Sequence, residues 1–187
     1  MGKVQKTIFL DRDGTLIEEV DFLSRVEDLK LFPFTRRAVD LLKSNGFRLI
    51  VITNQSGIGR GLFDEEAMHS IHRQIQRELN NVIDAFYFCP HLPEAGCVCR
   101  KPRSGMIDAA LRDFEIDMQN SWMVGDKNLD VEIGRKMNLR SALVLTGYGA
   151  QHVGALEFAP DVVAENLFVA AEKIVSLSLG TPQVSAE

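Results

Sequence analysis

Thr7-Ile8-Phe9-Leu10-Asp11-Arg12-Asp13-Gly14-Thr15-Leu16 is the stretch on which the reading of this chain turns. Ile8, Phe9 and Leu10 make a short apolar run, which reads as a buried strand. Two carboxylates follow at its end, one residue apart. In extended backbone, positions i and i+2 point to the same side, so Asp11 and Asp13 can converge on one point. Gly14 permits a sharp change of direction just after them. Paired carboxylates at the end of a strand can hold a hard cation such as Mg2+. One of them can also attack phosphorus while the other handles a proton.

Outward from this stretch, strand and helix signals alternate. Residues 16–32 have no clean period and are expected to form a small flap over the strand end. Pro33 is expected to open a helix with Ala38, Val39, Leu41 and Leu42 on its apolar face, stopped at Asn45-Gly46. Phe47 to Ile52 is apolar except for Arg48 and reads as a central parallel strand. Asp64 reads as an N-cap, with Met68, Ile71, Ile75 and Leu79 following at helical spacing. His69 and His72 on that helix read as surface or boundary residues. Further strands are expected at Ala85–Cys89, Trp122–Val124, Ala142–Leu145 and Val162–Val163. Helices are expected at 105–114, at about 128–138, and up to about Leu177, leaving a flexible tail at about 178–187.

This alternation predicts an α/β fold: a Rossmann-like parallel sheet with helices on both faces, one domain over 1–187 and no large cap domain. Sites in such folds lie at the C-terminal ends of the strands. Asp11, Asp13, Thr53, Asn54, Cys89 and Asp126 all fall there. Gly57-Ile58-Gly59-Arg60-Gly61 lacks the spacing of a dinucleotide fingerprint and reads as a shaped loop.

Three further groups carry chemistry. Thr53-Asn54-Gln55-Ser56 offers hydroxyls, amides and backbone N–H groups to phosphate oxygens. Gly125-Asp126-Lys127-Asn128-Leu129-Asp130 brings two more acids, Asp126 to complete a cation site begun by Asp11 and Asp130 to support it from behind. Cys89-Pro90-His91 and Cys97-Val98-Cys99 each present two ligands at i, i+2 spacing, which together match a tetrahedral structural zinc site with no open position. The zinc loop, 89–101, then ends on Arg100 and Lys101. Lys101 is placed to neutralise a phosphoryl group and Arg100 to grip another part of the substrate.

Composition agrees with this reading. The net charge of −5 argues against a general nucleic-acid-binding surface. No apolar run approaches the roughly 20 residues needed to span a bilayer, and no signal-peptide pattern is present. The odd count of 3 cysteines argues against a disulfide framework. The expectation is a cytoplasmic monomer with no membrane or nucleic-acid partner.

Asp11-x-Asp13-Gly-Thr15, Thr53 at the end of the second strand, Lys101, and Gly-Asp126-x3-Asp130 resemble the four motifs of the haloacid dehalogenase-like phosphatases. The stretches FLDRDGT, TNQSGI-x-RG, CPH…CxCRKP and MVGDK are similar to the branch that holds the heptose bisphosphate phosphatases and histidinol-phosphate phosphatases. The resemblance implies that Asp11 is the nucleophile, that Asp13 is the acid and base, and that Thr53 and Lys101 stabilise the phosphoryl group. It implies Mg2+ on Asp11, the Asp13 carbonyl and Asp126, zinc on Cys89, His91, Cys97 and Cys99, and Asp130 in support. Glu19, Val20, Asp21, Phe22, Asn54, Gln55, Ser56, Arg100 and Lys127 would contact substrate. The implied substrate is a small phosphorylated sugar, a heptose 1,7-bisphosphate cleaved at C7, with histidinol phosphate as the alternative.

Overall fold

In the computed structural model, which describes residues 4–179, strands and helices alternate along the chain. The strands are β1 (Thr7–Leu10), β2 (Arg48–Asn54), β3 (Ala85–Cys89), β4 (Trp122–Gly125), β5 (Arg140–Val144) and β6 (Val162–Ala164). The helices are α1 (Thr35–Ser44), α2 (Ser56–Gly59), α3 (Glu65–Glu78), α4 (Gly105–Asp113), α5 (Asn128–Lys136), α6 (Gly149–His152) and α7 (Leu167–Leu179). All strand pairings are parallel, in the order β3-β2-β1-β4-β5-β6.

That order has one consequence for function. The chain winds one way from β1 to β3 and the other way from β4 to β6. The direction reverses between β1 and β4, and a crevice opens outside their C-terminal ends. Asp11 follows β1 and Asp126 follows β4. Leu10 is in register with Val124, and the Asp11 N–H donates to the Val124 carbonyl at 2.9 Å. The topology alone therefore sets these two acids side by side.

The two faces of the sheet are apolar by alternation. Ile8, Leu10, Leu49, Val51, Trp122 and Val124 pack against α1, α3 and α7 through Val39, Leu42, Ile71, Ile75, Leu167 and Ile174. Phe9, Ile50, Ile52 and Met123 point the other way, onto Met106, Ile107 and Ala110 of α4 and Ile133 of α5. The expected parallel sheet, covered on both faces, is thus the observed one. Among the described residues, no helix is long and apolar enough to cross a membrane.

Several local expectations shift. α1 begins at Thr35 rather than Pro33, and the Thr35 hydroxyl donates to the Leu16 carbonyl at 2.7 Å, tying the helix start to the flap. The flap carries a 3-10 turn at Val26–Asp28 and a β-bridge between Ile17 and Leu31. Ser56–Gly59 forms a short helix where a loop was expected. Ser178 and Leu179, placed in the flexible tail by sequence, still belong to α7, and 180–187 lie outside the described residues. His72 is buried, not at the surface, because α3 turns it onto the sheet, where it stacks on Phe86.

Asp64 caps α3 as its sequence position suggests, its side chain accepting the Ala67 N–H at 2.8 Å. Asp64→Ala should lower unfolding free energy by about 1 kcal/mol in urea titration, with catalytic constants unchanged. An unchanged midpoint would show that the cap contributes nothing.

Candidate active site

The centre of the crevice is a buried charge cluster. Lys101 arrives from the loop after β3, and its ammonium lies 2.9 Å from Asp11 Oδ1 and 2.7 Å from Asp130 Oδ1. All three side chains are nearly inaccessible. Burial opposes the charge on each partner of the Asp11–Lys101 pair, but mutual attraction prevails: Asp11 is held below the usual carboxylate range and Lys101 above the usual lysine range.

Each member is fixed by backbone. The Arg12 N–H donates to Asp11 Oδ1 at 2.8 Å. Asp130 Oδ2 accepts the Lys127 N–H at 3.1 Å, closing the first turn of α5 while Oδ1 takes Lys101. Asn54 holds Lys101 by its main chain: the Asn54 amide donates to the Lys101 carbonyl at 3.2 Å and the Lys101 N–H donates to Asn54 Oδ1 at 3.0 Å. Sequence cast Asn54 as a substrate contact. It does line the cavity, but its carboxamide is already engaged in placing Lys101.

Asp126 is the anomaly of the cluster. It is fully buried, and its Oδ2 accepts the Tyr148 N–H at 2.8 Å. Among the described residues, its Oδ1 has no hydrogen-bond partner. Burial, with Asp11 adding repulsion, pushes its pKa up to about 8. The backbone crowds this carboxylate from two sides. Gly14 (φ +79°) and Gly147 (φ +54°) both stand where a Cβ would overlap Asp126 Oδ2, so both left-handed turns require glycine. Oxygens of Asp11, Asp126 and Asp130 lie within 4.8 Å of one another. An all-oxygen set with an orphaned buried carboxylate oxygen suits a hard divalent cation.

Asp13 stands apart from that cluster. Arg12 clamps it, donating from Nη2 to Oδ1 at 2.9 Å and from Nε to Oδ2 at 3.0 Å, and Gln55 Nε2 donates to Oδ2 at 2.9 Å. Gln55 also donates to Thr53 Oγ1 at 2.9 Å, which orients the Thr53 hydroxyl. A small polar cavity of about 120 Å³ opens beside these groups, lined by Asp13, Asn54, Gln55 and Ser56, by Glu19 to Phe22 of the flap, and by Lys127. The Lys127 ammonium pairs with Glu19 at 3.0 Å, joining flap to loop.

Arg100 is the predicted contact that the structure turns elsewhere. It does not line this cavity, and its guanidinium donates to the His91 carbonyl at 3.2 Å. The cysteine loop is closed around a small centre. Cys89 Sγ lies 3.5 Å from both His91 Nδ1 and Cys97 Sγ, and Cys99 Sγ lies 3.2 Å from Cys89 Sγ and from His91 Nδ1. Ligands at tetrahedral zinc distances would stand about 3.8 Å apart, so the four atoms need only small outward shifts to take the ion. Arg103 donates to the Cys97 carbonyl at 2.6 Å and braces the same loop.

Sequence reasoning missed Arg12, His72 and Tyr148. Arg12 carried one signal, a charged residue inside an otherwise buried motif. The other two act through folding: Tyr148 by its N–H, and His72 from a helix remote in sequence.

Four likenesses bear on this site. The protein-family model described as HAD-hyrolase-like matches residues 98–170. Over 184 residues the chain is 39% identical to the D-glycero-D-manno-heptose-1,7-bisphosphate 7-phosphatase of Thermosynechococcus vestitus, covering 89% of this chain and 94% of that one. It is 42% identical over 141 residues to the probable D-glycero-D-manno-heptose-1,7-bisphosphate 7-phosphatase of Thermoplasma volcanium, covering 72% and 94%. The crystal structure of D,D-heptose 1.7-bisphosphate phosphatase from B. bronchiseptica, complexed with magnesium and phosphate, superposes with a TM-score of 0.86 at 32% identity, covering 92% of this chain and 99% of that one.

Asp126 supplies a test of the cation site. Between the ordinary value of 3.8 and about 8, the folded state keeps a proton on Asp126 that the unfolded chain releases. Its contribution to stability therefore falls as pH rises through that window. In metal-free protein, thermal scans should show Asp126→Asn gaining on the wild type as pH rises. Mg2+ should then raise the melting temperature of the wild type and leave the variant unmoved. An equal Mg2+ shift in both would contradict a site at Asp126.

Proposed function

The chain belongs to the haloacid dehalogenase-like phosphatases, among the D-glycero-D-manno-heptose-1,7-bisphosphate 7-phosphatases, and on that premise we propose that it removes the C7 phosphate of D-glycero-D-manno-heptose 1,7-bisphosphate through an aspartyl-phosphate on Asp11. It is a phosphoric monoester hydrolase. The observation that carries the detailed reading is the convergence of Asp11, Lys101, Asp126 and Asp130 at the strand ends, beside a small polar cavity floored by Asp13.

Asp11 suits the nucleophile. Its Lys101 and Arg12 contacts both fall on Oδ1, so Oδ2 is the oxygen with no partner among the described residues. Attack by Oδ2 on phosphorus breaks the bond to the C7 oxygen, and Asp13 gives that oxygen a proton. Water then attacks the acyl phosphate, Asp13 takes its proton, and inorganic phosphate leaves with Asp11 restored. Lys101 and the Thr53 hydroxyl are the donors nearest to hand for the phosphoryl oxygens. Mg2+, held by Asp11, Asp126 and the Asp13 carbonyl, would supply the positive charge that offsets the phosphoryl oxygens. Cys89, His91, Cys97 and Cys99 would hold zinc as a clasp on the loop that carries Lys101.

The heptose reading is favoured over histidinol phosphate. Of the acidic flap that would suit a cationic leaving group, Glu19 pairs with Lys127, Glu18 faces Lys30 at 4.0 Å and Asp21 lines the cavity, so the preference is carried by the relatives, 39% and 42% identical, that bear the heptose name. The product keeps its anomeric phosphate, the group that a following nucleotidyl transfer would use to make an activated heptose. Surface-polysaccharide precursor synthesis is the setting that fits this product.

In Mg2+, kcat/KM for heptose 1,7-bisphosphate should exceed that for histidinol phosphate by roughly 10²-fold or more, with one phosphate released per molecule. A preference for histidinol phosphate would overturn the substrate assignment and leave the chemistry intact. Zinc should be found at about one ion per chain, and its removal should lower kcat, because the clasp holds the loop that carries Lys101, the cation that meets the phosphoryl group. Full activity in folded, zinc-free protein would contradict the clasp.

A further inference from the structure

Asp13 is held with unusual completeness for a residue that must exchange protons. Arg12 Nε and Gln55 Nε2 both donate to Oδ2, at 3.0 and 2.9 Å. A carboxylate oxygen has two lone pairs, so Oδ2 is saturated. Among the described residues, Oδ1 receives only Arg12 Nη2, at 2.9 Å, and keeps one lone pair free.

Arg12 is itself anchored. It is 1% exposed, and its remaining terminal nitrogen, Nη1, meets His72 Nε2 at 3.4 Å. His72 comes from α3 and stacks on Phe86 of β3, ring centroids 4.5 Å apart. Burial, reinforced by the neighbouring Arg12 charge, drops the His72 pKa to about 2, so its ring is neutral. A neutral imidazole facing a guanidinium must accept at that nitrogen, which puts the His72 proton on Nδ1. The chain Phe86–His72–Arg12–Asp13 thus runs from the edge strand of the sheet to the catalytic carboxyl.

We propose that Arg12, anchored by His72, is a positioning residue that locks the Asp13 carboxyl in one orientation and assigns proton transfer to Asp13 Oδ1. The proposal rests on the acid–base role given to Asp13 above. In the first step the Oδ1 proton passes to the alcohol oxygen as its bond to phosphorus breaks and the Asp11–phosphorus bond forms. In the second, Oδ1 takes a proton from water as the water oxygen bonds to phosphorus and the Asp11–phosphorus bond breaks. Neither Arg12 nor His72 gains or loses a proton. Their contribution is orientation, which matters most where the leaving group needs the acid.

The test uses two variants and two esters. Arg12→Lys keeps the charge and loses the planar fork. His72→Phe keeps an aromatic ring against Phe86 and removes the acceptor for Nη1. Heptose 1,7-bisphosphate expels an alkoxide, which needs a proton, whereas 4-nitrophenyl phosphate expels a stable phenolate, which does not. kcat/KM covers events up to departure of the alcohol. For Arg12→Lys it should fall roughly 10²-fold on the bisphosphate and no more than about threefold on the aryl ester. His72→Phe should show the same asymmetry at roughly tenfold. Equal losses on both esters would reduce the clamp to scaffolding and overturn the proposal, as would no loss on either. If Arg12→Lys does not fold, His72→Phe decides by the same criterion. A wild type inert towards both esters would overturn the phosphatase reading first and this proposal with it.

Discussion

One buried ammonium organises this molecule's working end. Lys101 sits between Asp11 and Asp130, at 2.9 and 2.7 Å, where water is excluded. Breaking such a pair from one side costs roughly 3–5 kcal/mol, because the stranded charge has no solvent to return to. The elements around it converge to prevent that. Asn54 pins the Lys101 main chain, the first turn of α5 pins Asp130, and the sheet pins Asp11. The loop bearing Lys101 is gathered by four clustered metal-type ligands just upstream. The cation that would meet a phosphoryl group is therefore as rigid as the carboxylate that would attack it, and rigidity of this kind is what electrostatic catalysis requires.

The same cluster explains why a divalent metal belongs here. Asp11, Asp126 and Asp130 crowd three buried carboxyl groups together, and in the metal-free protein Asp126 holds a proton up to about pH 8 because burial and the neighbouring Asp11 charge oppose its ionisation. Asp126 carries the strain: among the described residues its Oδ1 accepts no hydrogen bond, with Lys127 Nζ no nearer than 3.9 Å, and its pKa is pushed up to about 8. A divalent cation would take the place of that proton and add positive charge for a dianionic phosphate. Glycines at positions 14 and 147 leave only enough room for the Asp126 carboxylate. The neighbouring cavity is small and polar and accessible past the flap, in keeping with a compact phosphorylated sugar.

Much of this was legible in the chain. The i, i+2 acids after an apolar strand, the paired i, i+2 metal-type ligands, and the lysine that follows them each carry a local geometric meaning. Alternating strand and helix signals then placed Asp11 and Asp126 at one edge of a parallel sheet. What sequence could not show was side-chain partnership across distance. Asn54 read only as a substrate contact, because Lys101, whose main chain it also holds, is far along the chain. His72 read as a surface or boundary residue, although it stands four residues after Met68 and three before Ile75, on the apolar face of α3 that meets Phe86. Arg12 looked like an incidental residue between two acids, although it is the best-buried cation near the site. Arg100 was aimed at substrate, but its direction depends on the fold of the cysteine loop, which spacing leaves open.

The central claim is that Asp11 forms a covalent bond to phosphorus. Rapid quenching during turnover, reduction of any acyl phosphate with borohydride, and peptide mapping would test it directly, since reduction converts a phosphorylated aspartate to homoserine. Homoserine at position 11, formed at a rate that keeps pace with release of the alcohol, is the predicted result. Phosphate release with no modification at Asp11, or with modification at another carboxylate, would contradict the account.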